Sequence, residues 1–250
     1  MRTFLMLTLL SMPASNSPEV TRGKNSDEKS VRPHDFVIPY MVYLQSNQEP
    51  CVGCLIDPQW VLTAAHCPLP TQIRLGVYQP STKHKKEQTL NYTLALPHPE
   101  FDAQSLKNDL MLIKLSKAAT LNSYVGTIAI AMEPMAMNDS CFIPTWTWND
   151  YKDFSDPDSL TWINQYSLSY NDCWNMLQQE KGPTMNIMCI GHSLNIKYII
   201  KEVSAAPAIC DGRVYGILSW SKAGVTMGNE GFFTEVYPYA RWILQMIKSH

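Results

Sequence analysis

From Ile38 onward the apolar residues of this chain come in short runs, each cut off within a few positions by Pro, Gly, Asn or Asp. Met41–Leu44, Cys54–Ile56, Ile73–Leu75, Leu110–Leu115, Thr127–Ala131, Ile187–Ile190, Ile209 and Val214–Trp220 read as strands. Their intervals are those of a barrel or a sandwich. Only at the carboxyl end does the period change. Over Tyr239–Ser249 the apolar residues Trp242, Ile243, Met246 and Ile247 follow helical spacing, which predicts a terminal helix packed on the β structure.

A chain of 250 residues suits one large all-β domain or two small ones. With 45% apolar residues and a net charge of −2 it can bury a sizeable core, and no polyelectrolyte partner is implied. Nucleic acid is therefore not expected as a ligand. The basic run Lys83-His84-Lys85-Lys86 reads as a solvated loop.

Residues 1–17 read as a secretory signal peptide. Arg2 supplies the positive start, Phe4–Leu10 a short apolar run, and Ala14, Ser15 and Ser17 the small residues after it. The run is too short to span a bilayer, and no later stretch reaches about 18 apolar residues, so a secreted, extracellular chain without a membrane span is expected. Residues 18–35 are polar and charged and read as a flexible, pro-like segment. The folded domain is then 36–250.

Seven cysteines, at 51, 54, 67, 141, 173, 189 and 210, should mostly pair in an exported chain, and an odd count leaves at least one over. Cys51-x-x-Cys54 can be read as a redox or metal pair. Asn91-Tyr92-Thr93 and Asn138-Asp139-Ser140 are N-glycan acceptor triplets at Asn91 and Asn138.

Three stretches carry chemistry: Leu62-Thr63-Ala64-Ala65-His66-Cys67, then Asn108-Asp109 ahead of Leu110–Leu115, then Lys201-Glu202-Val203-Ser204-Ala205-Ala206-Pro207. Nucleophilic acyl transfer needs a hydroxyl, a base that takes its proton and a carboxylate that orients the base. Ser204, His66 and Asp109 are those three types. Taken singly they are ordinary: a histidine beside a cysteine is usually structural, and an Asp ahead of an apolar run is usually a turn residue. The order His, Asp, Ser distinguishes the arrangement from the subtilisin and α/β-hydrolase orders.

The surrounding residues are more specific. Pro58-Gln59-Trp60-Val61 leading into Leu62–Cys67 resembles the histidine block of the trypsin-like, chymotrypsin-fold serine proteases. Ile38–Leu44 resembles their first strand, and Leu218-Ser219-Trp220 the strand that lies along a bound peptide. The resemblance covers about 36–250. It implies an all-β fold of two six-stranded antiparallel β-barrels, roughly 36–135 and 136–238, with a C-terminal helix. It also implies the disulfides Cys51–Cys67, Cys141–Cys210 and Cys173–Cys189. Cys54 is then a packed free thiol, and the redox or metal reading of Cys51-x-x-Cys54 is set aside. The stretch from Glu202 to Cys210 is similar to that of the degenerate trypsin-X and testis serine protease group.

Against that family pattern the support of the serine is altered. The family's activated start, an Ile-Val-Gly-Gly-type terminus, has no counterpart in 27–35, and the aspartate it would pair with is Val203. Loss of both partners is coherent, because one buried charge without the other costs several kcal/mol. The oxyanion glycine is Glu202, and loss of one donor there typically lowers the rate about 10²–10³-fold. Tyr198 stands at the base of the specificity pocket, Ile200 and Gly224 where a cysteine pair would border it, and Ser221 where a glycine would open its mouth. Ala205 and Ala206 replace two glycines after the serine. The loop between Val77 and Glu87 is neutral to basic, so no calcium or other metal is expected.

These residues imply a secreted protease homologue, catalytically inactive or very weak and acting by protein–protein interaction. The alternative is an active serine endopeptidase of unusual specificity using His66, Asp109 and Ser204. A protein or peptide partner, no cofactor and a monomeric state are expected. The aromatic residues Trp146, Trp148, Tyr151 and Phe154 would mark a binding face if they were exposed.

Overall fold

The computed structural model describes residues 37–136, 139–149, 155–180, 185–191, 201–221 and 231–250. Residues 1–36, Asn138, Tyr151, Phe154, Tyr198, Ile200 and Gly224, on which expectations were placed above, lie outside the described residues.

The amino-terminal half is built from β1 (Met41–Gln45), β2 (Cys51–Asp57), β3 (Trp60–Thr63), β4 (Gln72–Leu75), β5 (Gln88–Leu90), β6 (Tyr92–Pro97) and β7 (Met111–Leu115). They pair antiparallel in the order β5-β4-β1-β2-β3-β7-β6. Asn91 alone separates β5 from β6, so the two edges of the sheet belong to one bent strand. The sheet thereby closes on itself as a six-stranded barrel, which removes its free edges. Gly53 of β2 permits close packing inside it: a Cβ there would meet Val61 Cγ1 at 2.4 Å.

The second half comprises β8 (Ala129–Ile130), β9 (Ser140–Thr147), β10 (Ser159–Tyr166), β11 (Ile187–Ile190), β12 (Pro207–Cys210), β13 (Arg213–Ser221) and β14 (Gly231–Glu235). Six of them run in the order β10-β9-β12-β13-β14-β11, and β8 adds a short parallel pairing to β13. An antiparallel bridge between Ser167 and Ile190 joins the outer strands, with Leu168 N donating to Cys189 O at 3.0 Å and Gly191 N to Tyr166 O at 3.2 Å. This sheet too is drawn into a six-stranded barrel.

The helix α1 (Tyr170–Glu180) follows β10, and α2 (Ala240–Ser249) ends the chain. Ser169 caps α1: its Oγ accepts from Asp172 N at 3.1 Å and donates to Asp172 Oδ2 at 2.6 Å. α2 begins one residue later than its apolar period suggests, because Tyr237–Tyr239 form a 3₁₀ turn with Pro238 inside it. It buries Ala240 and Ile243 against the core, with Trp242, Met246 and Ile247 partly buried beside them. No helix among the described residues is long and apolar enough to cross a membrane.

One apolar cluster holds the halves together. It combines Val42, Leu55, Leu62, Ile73 and Leu112 of the first barrel with Ile209, Val214 and Ile217 of the second and Ile243 of α2. Each fully buried aliphatic side chain of this kind contributes about 1.5–3 kcal/mol. A second contact between the halves is the edge-to-face pair of Tyr43 and Trp146, with centroids 5.5 Å apart.

The strand expected over Thr127–Ala131 is shorter than its apolar residues suggest, since only Ala129 and Ile130 pair, with Arg213 and Val214. Trp146 and Trp148, which would mark a binding face only if they were exposed, are buried, with exposures of 0% and 6%. Both indole N–H groups are used internally, Trp146 Nε1 donating to Tyr78 O and Trp148 Nε1 to Ser155 O.

Candidate active site

The site is assembled where the two barrels meet. His66 follows β3, Asp109 precedes β7, and Ser204 precedes β12. Thr63 at the end of β3 pairs with Met111 at the start of β7, which brings their flanking residues together. Asp109 is fully buried and accepts three hydrogen bonds. His66 N donates to Oδ1 at 2.8 Å, His66 Nδ1–H to Oδ2 at 2.7 Å, and Ser219 Oγ to Oδ2 at 2.6 Å. A buried carboxylate needs such partners to stay charged. Together they fix the imidazole with Nδ1 protonated and Nε2 left as the basic nitrogen.

Asn108, with φ of 55°, turns the chain into Asp109. Its side chain is held from two sides: Tyr239 Oη donates to Asn108 Oδ1 at 2.7 Å and Asn108 Nδ2 donates to Glu100 O at 2.8 Å. His98 packs edge-on against both Tyr239 and Trp242, so the C-terminal helix braces the loop that carries the aspartate. Neither Ser219 as a partner of Asp109 nor this brace follows from spacing. Both rest on contacts between residues more than 100 positions apart.

Ser204 is placed by its backbone. Its carbonyl accepts from Val52 N at 2.8 Å, and it forms a parallel bridge with Cys51, so the serine loop is stitched to the first barrel. Among the described residues no hydrogen bond joins its Oγ to His66. The next residue, Ala205, has φ of 65°, a left-handed conformation that costs a Cβ-bearing residue about 1 kcal/mol or more. The family would place a glycine there.

The segment before the serine lies along the end of β9 as an extra rung. Val203 N donates to Trp146 O at 2.8 Å, Trp148 N to Lys201 O at 3.3 Å, and Thr145 Oγ1 to Val203 O at 2.9 Å. Extended chain alternates its side chains. Lys201 lies over Trp148, and Val203 is buried in the cluster of Ile38, Met41, Tyr43, Trp146 and Trp148. Where the family pattern has a charged partner for a new terminus, this chain has apolar packing.

By the same alternation Glu202 lies on the face opposite Lys201 and Val203. The residue keeps part of its surface, yet its carboxyl group is enclosed, and that desolvation pushes its pKa up to about 8. It makes no side-chain hydrogen bond among the described residues. Ser221 ends β13 opposite Gly231.

The sulfurs pair as Cys51–Cys67, Cys141–Cys210 and Cys173–Cys189, with Cα separations of 6.2, 4.3 and 5.3 Å. Cys54 is a buried free thiol whose pKa burial pushes far above its usual value. Cys51, His66 and Cys67 lie within 4.8 Å of one another, but the two sulfurs are bonded to each other and so are withdrawn as metal ligands. Asn91 is exposed at the bend between β5 and β6.

Two closed antiparallel barrels, an Asp–His couple at their seam and a serine on the second barrel define a chain of the chymotrypsin-fold serine protease class. Residues 26–243 match the trypsin family profile, and the chain belongs to that family. It is 36% identical over 255 residues to the probable inactive serine protease 58 of Bos taurus, covering 100% of both chains. To serine protease 58 of Homo sapiens it is 37% identical over 214 residues, 85% of this chain and 88% of the relative. To serine protease 1 of Homo sapiens it is 32% identical over 258 residues, with both chains fully covered.

Proposed function

We propose that this chain is a secreted protease homologue that engages a protein or peptide partner and has little or no peptidase activity. The observation that carries this reading is Glu202. Two residues before Ser204, where the family pattern has a glycine whose N–H serves the developing negative charge, this chain has an enclosed carboxyl. A preorganised oxyanion site lowers the barrier by several kcal/mol, and a carboxyl group in the glycine's place opposes the developing negative charge once it ionises, above pH about 8. The names of the bovine relative and of the putative inactive serine protease 58 of Mus musculus agree with it. Export fits a chain with three disulfides, which form in oxidising compartments.

A weak hydrolase is the second reading. It is favoured by the intact His66–Asp109 couple, since a base already held in the correct tautomer is half of the nucleophile's activation. The test exposes purified secreted protein to a fluorophosphonate probe beside a Ser204→Ala variant and active trypsin. The proposal expects no Ser204-dependent labelling of folded protein. Labelling at a rate approaching that of trypsin overturns it.

A further inference from the structure

The bend that closes the first barrel carries chemistry that the triad does not use. Asn91 stands alone between β5 and β6, and the chain on either side of it is pinned: Leu90 pairs with Ile73 and Tyr92 with Leu115. The Asn91 carbonyl is held as well, accepting from Ser116 N at 2.8 Å. The side chain is not held in this way. Asn91 is exposed, and its carboxamide makes no hydrogen bond among the described residues.

Thr93, two residues on, is equally open. The ladder between β6 and β7 slips between Tyr92 and Leu94, so Thr93 has no residue opposite it. It is exposed, and its hydroxyl makes no hydrogen bond among the described residues. Tyr92 between them turns to the other face and packs against the core. The barrel therefore fixes the backbone of this triplet and leaves in solvent the two side chains that an N-glycan acceptor needs, the asparagine amide and the hydroxyl.

We propose that Asn91 carries an N-linked oligosaccharide in the secreted protein. Asn91 Nδ2 bonds to the anomeric carbon of the first N-acetylglucosamine. The bond from that carbon to a lipid-linked diphosphate donor breaks, and the proton lost from Nδ2 goes with the departing diphosphate. The amide gives up an N–H that nothing in the fold uses, so the folded barrel accepts the sugar without losing a bond. Asp109 precedes β7 and Ser116 follows it, so the glycan is rooted about 20 Å of extended chain from the Asp109–His66 couple, at the opposite end of β7. It stands at the closure of the barrel and not at the seam where Ser204 lies. The assignment rests on the export proposed above, because the oxidising compartment that forms the three disulfides is also where the donor lipid is met.

The test expresses the full chain in mammalian cells and recovers it from the medium. Peptide N-glycosidase, run in heavy-oxygen water, turns a glycosylated asparagine into a labelled aspartate, and mass spectrometry reads position 91. The label is expected there. One glycan's worth of gel mobility should be lost in Asn91→Gln and in Thr93→Ala and kept in Thr93→Ser, and Asn138→Gln should leave the label at position 91 in place. The map of the unsubstituted protein needs no variant, so a substitution that fails to fold does not blunt the test. Secreted protein whose position 91 is found only as unmodified asparagine overturns the assignment and leaves export standing. A folded chain retained in the cell with position 91 unmodified overturns both, so the two failures are distinct.

Discussion

Arg74 holds Glu87 through two nitrogens, Nε on Oε2 at 3.0 Å and Nη2 on Oε1 at 3.2 Å, with 4% and 0% of the two side chains exposed. Arg74 Nη1 also reaches Pro80 O at 2.9 Å, and His84 N donates to Glu87 Oε1 at 3.1 Å. The loop between β4 and β5 is thus folded around a guanidinium. Breaking a buried pair on one side leaves the other charge uncompensated. Arg74→Met is expected to lower stability by about 3–5 kcal/mol in denaturant unfolding, and the double variant Arg74→Met, Glu87→Leu to recover most of that loss.

The same pair bears on calcium. Glu87 is the one acid between Val77 and Gln88, and its carboxylate is already engaged. Calcium needs several oxygen ligands. Thermal unfolding midpoints in millimolar calcium and in chelator should agree within about 1 °C, since a ion that binds the folded state raises the midpoint.

Val203 replaces an ion pair by packing, so its side chain should behave as core. Val203→Ala is expected to cost about 2 kcal/mol. Val203→Asp places a charge in the same apolar cluster and is expected to cost about 3–5 kcal/mol. Equilibrium unfolding of the pair at neutral pH checks both.

Glu202 gives stability a pH dependence of definite sign. Its folded-state pKa of about 8 is above the ordinary value of 4.5, so the folded state binds the proton more tightly than the unfolded one. This group's contribution is fully present below pH about 4.5 and is lost as pH rises to about 8, by a few kcal/mol at most. Glu202→Gln should remove that slope. Unfolding curves of both proteins between about pH 4 and about pH 9, a range that spans the two pKa values, measure it.

Cys54 should be inert in the native state. Its thiol is buried and its thiolate is disfavoured by desolvation, and the thiolate is the reactive form. Iodoacetamide is expected to leave folded protein unmodified and to add a single adduct after unfolding without reductant. Mass spectrometry reads both states.

The barrels were legible because their strands are apolar on a short period: Met41–Leu44 and Val214–Trp220 lie within β1 and β13 almost to the residue. The sequence was less informative where pairing rather than composition makes a strand. β10 reads Ser-Leu-Thr-Trp-Ile-Asn-Gln-Tyr and is recognisable only beside β9, with which it pairs over its whole length. α1 went unseen because its residues include Asn, Asp, Cys and two Gln with little apolar period, although Ser169 and Asp172 form its cap. At the site, the placing of His66 against Asp109 follows from the pairing of β3 with β7. The hydroxyl of Ser219 and the phenol of Tyr239 are supplied from the far end of the chain, and no local pattern announces them.

The bond from Val52 N to Ser204 O has a practical corollary. The stitch between the barrels is made by peptide atoms, and every residue that can replace the serine keeps them. Ser204→Ala therefore removes a hydroxyl and leaves the joint closed. A silent probe in that variant reports on chemistry alone, free of any confusion with a loosened molecule.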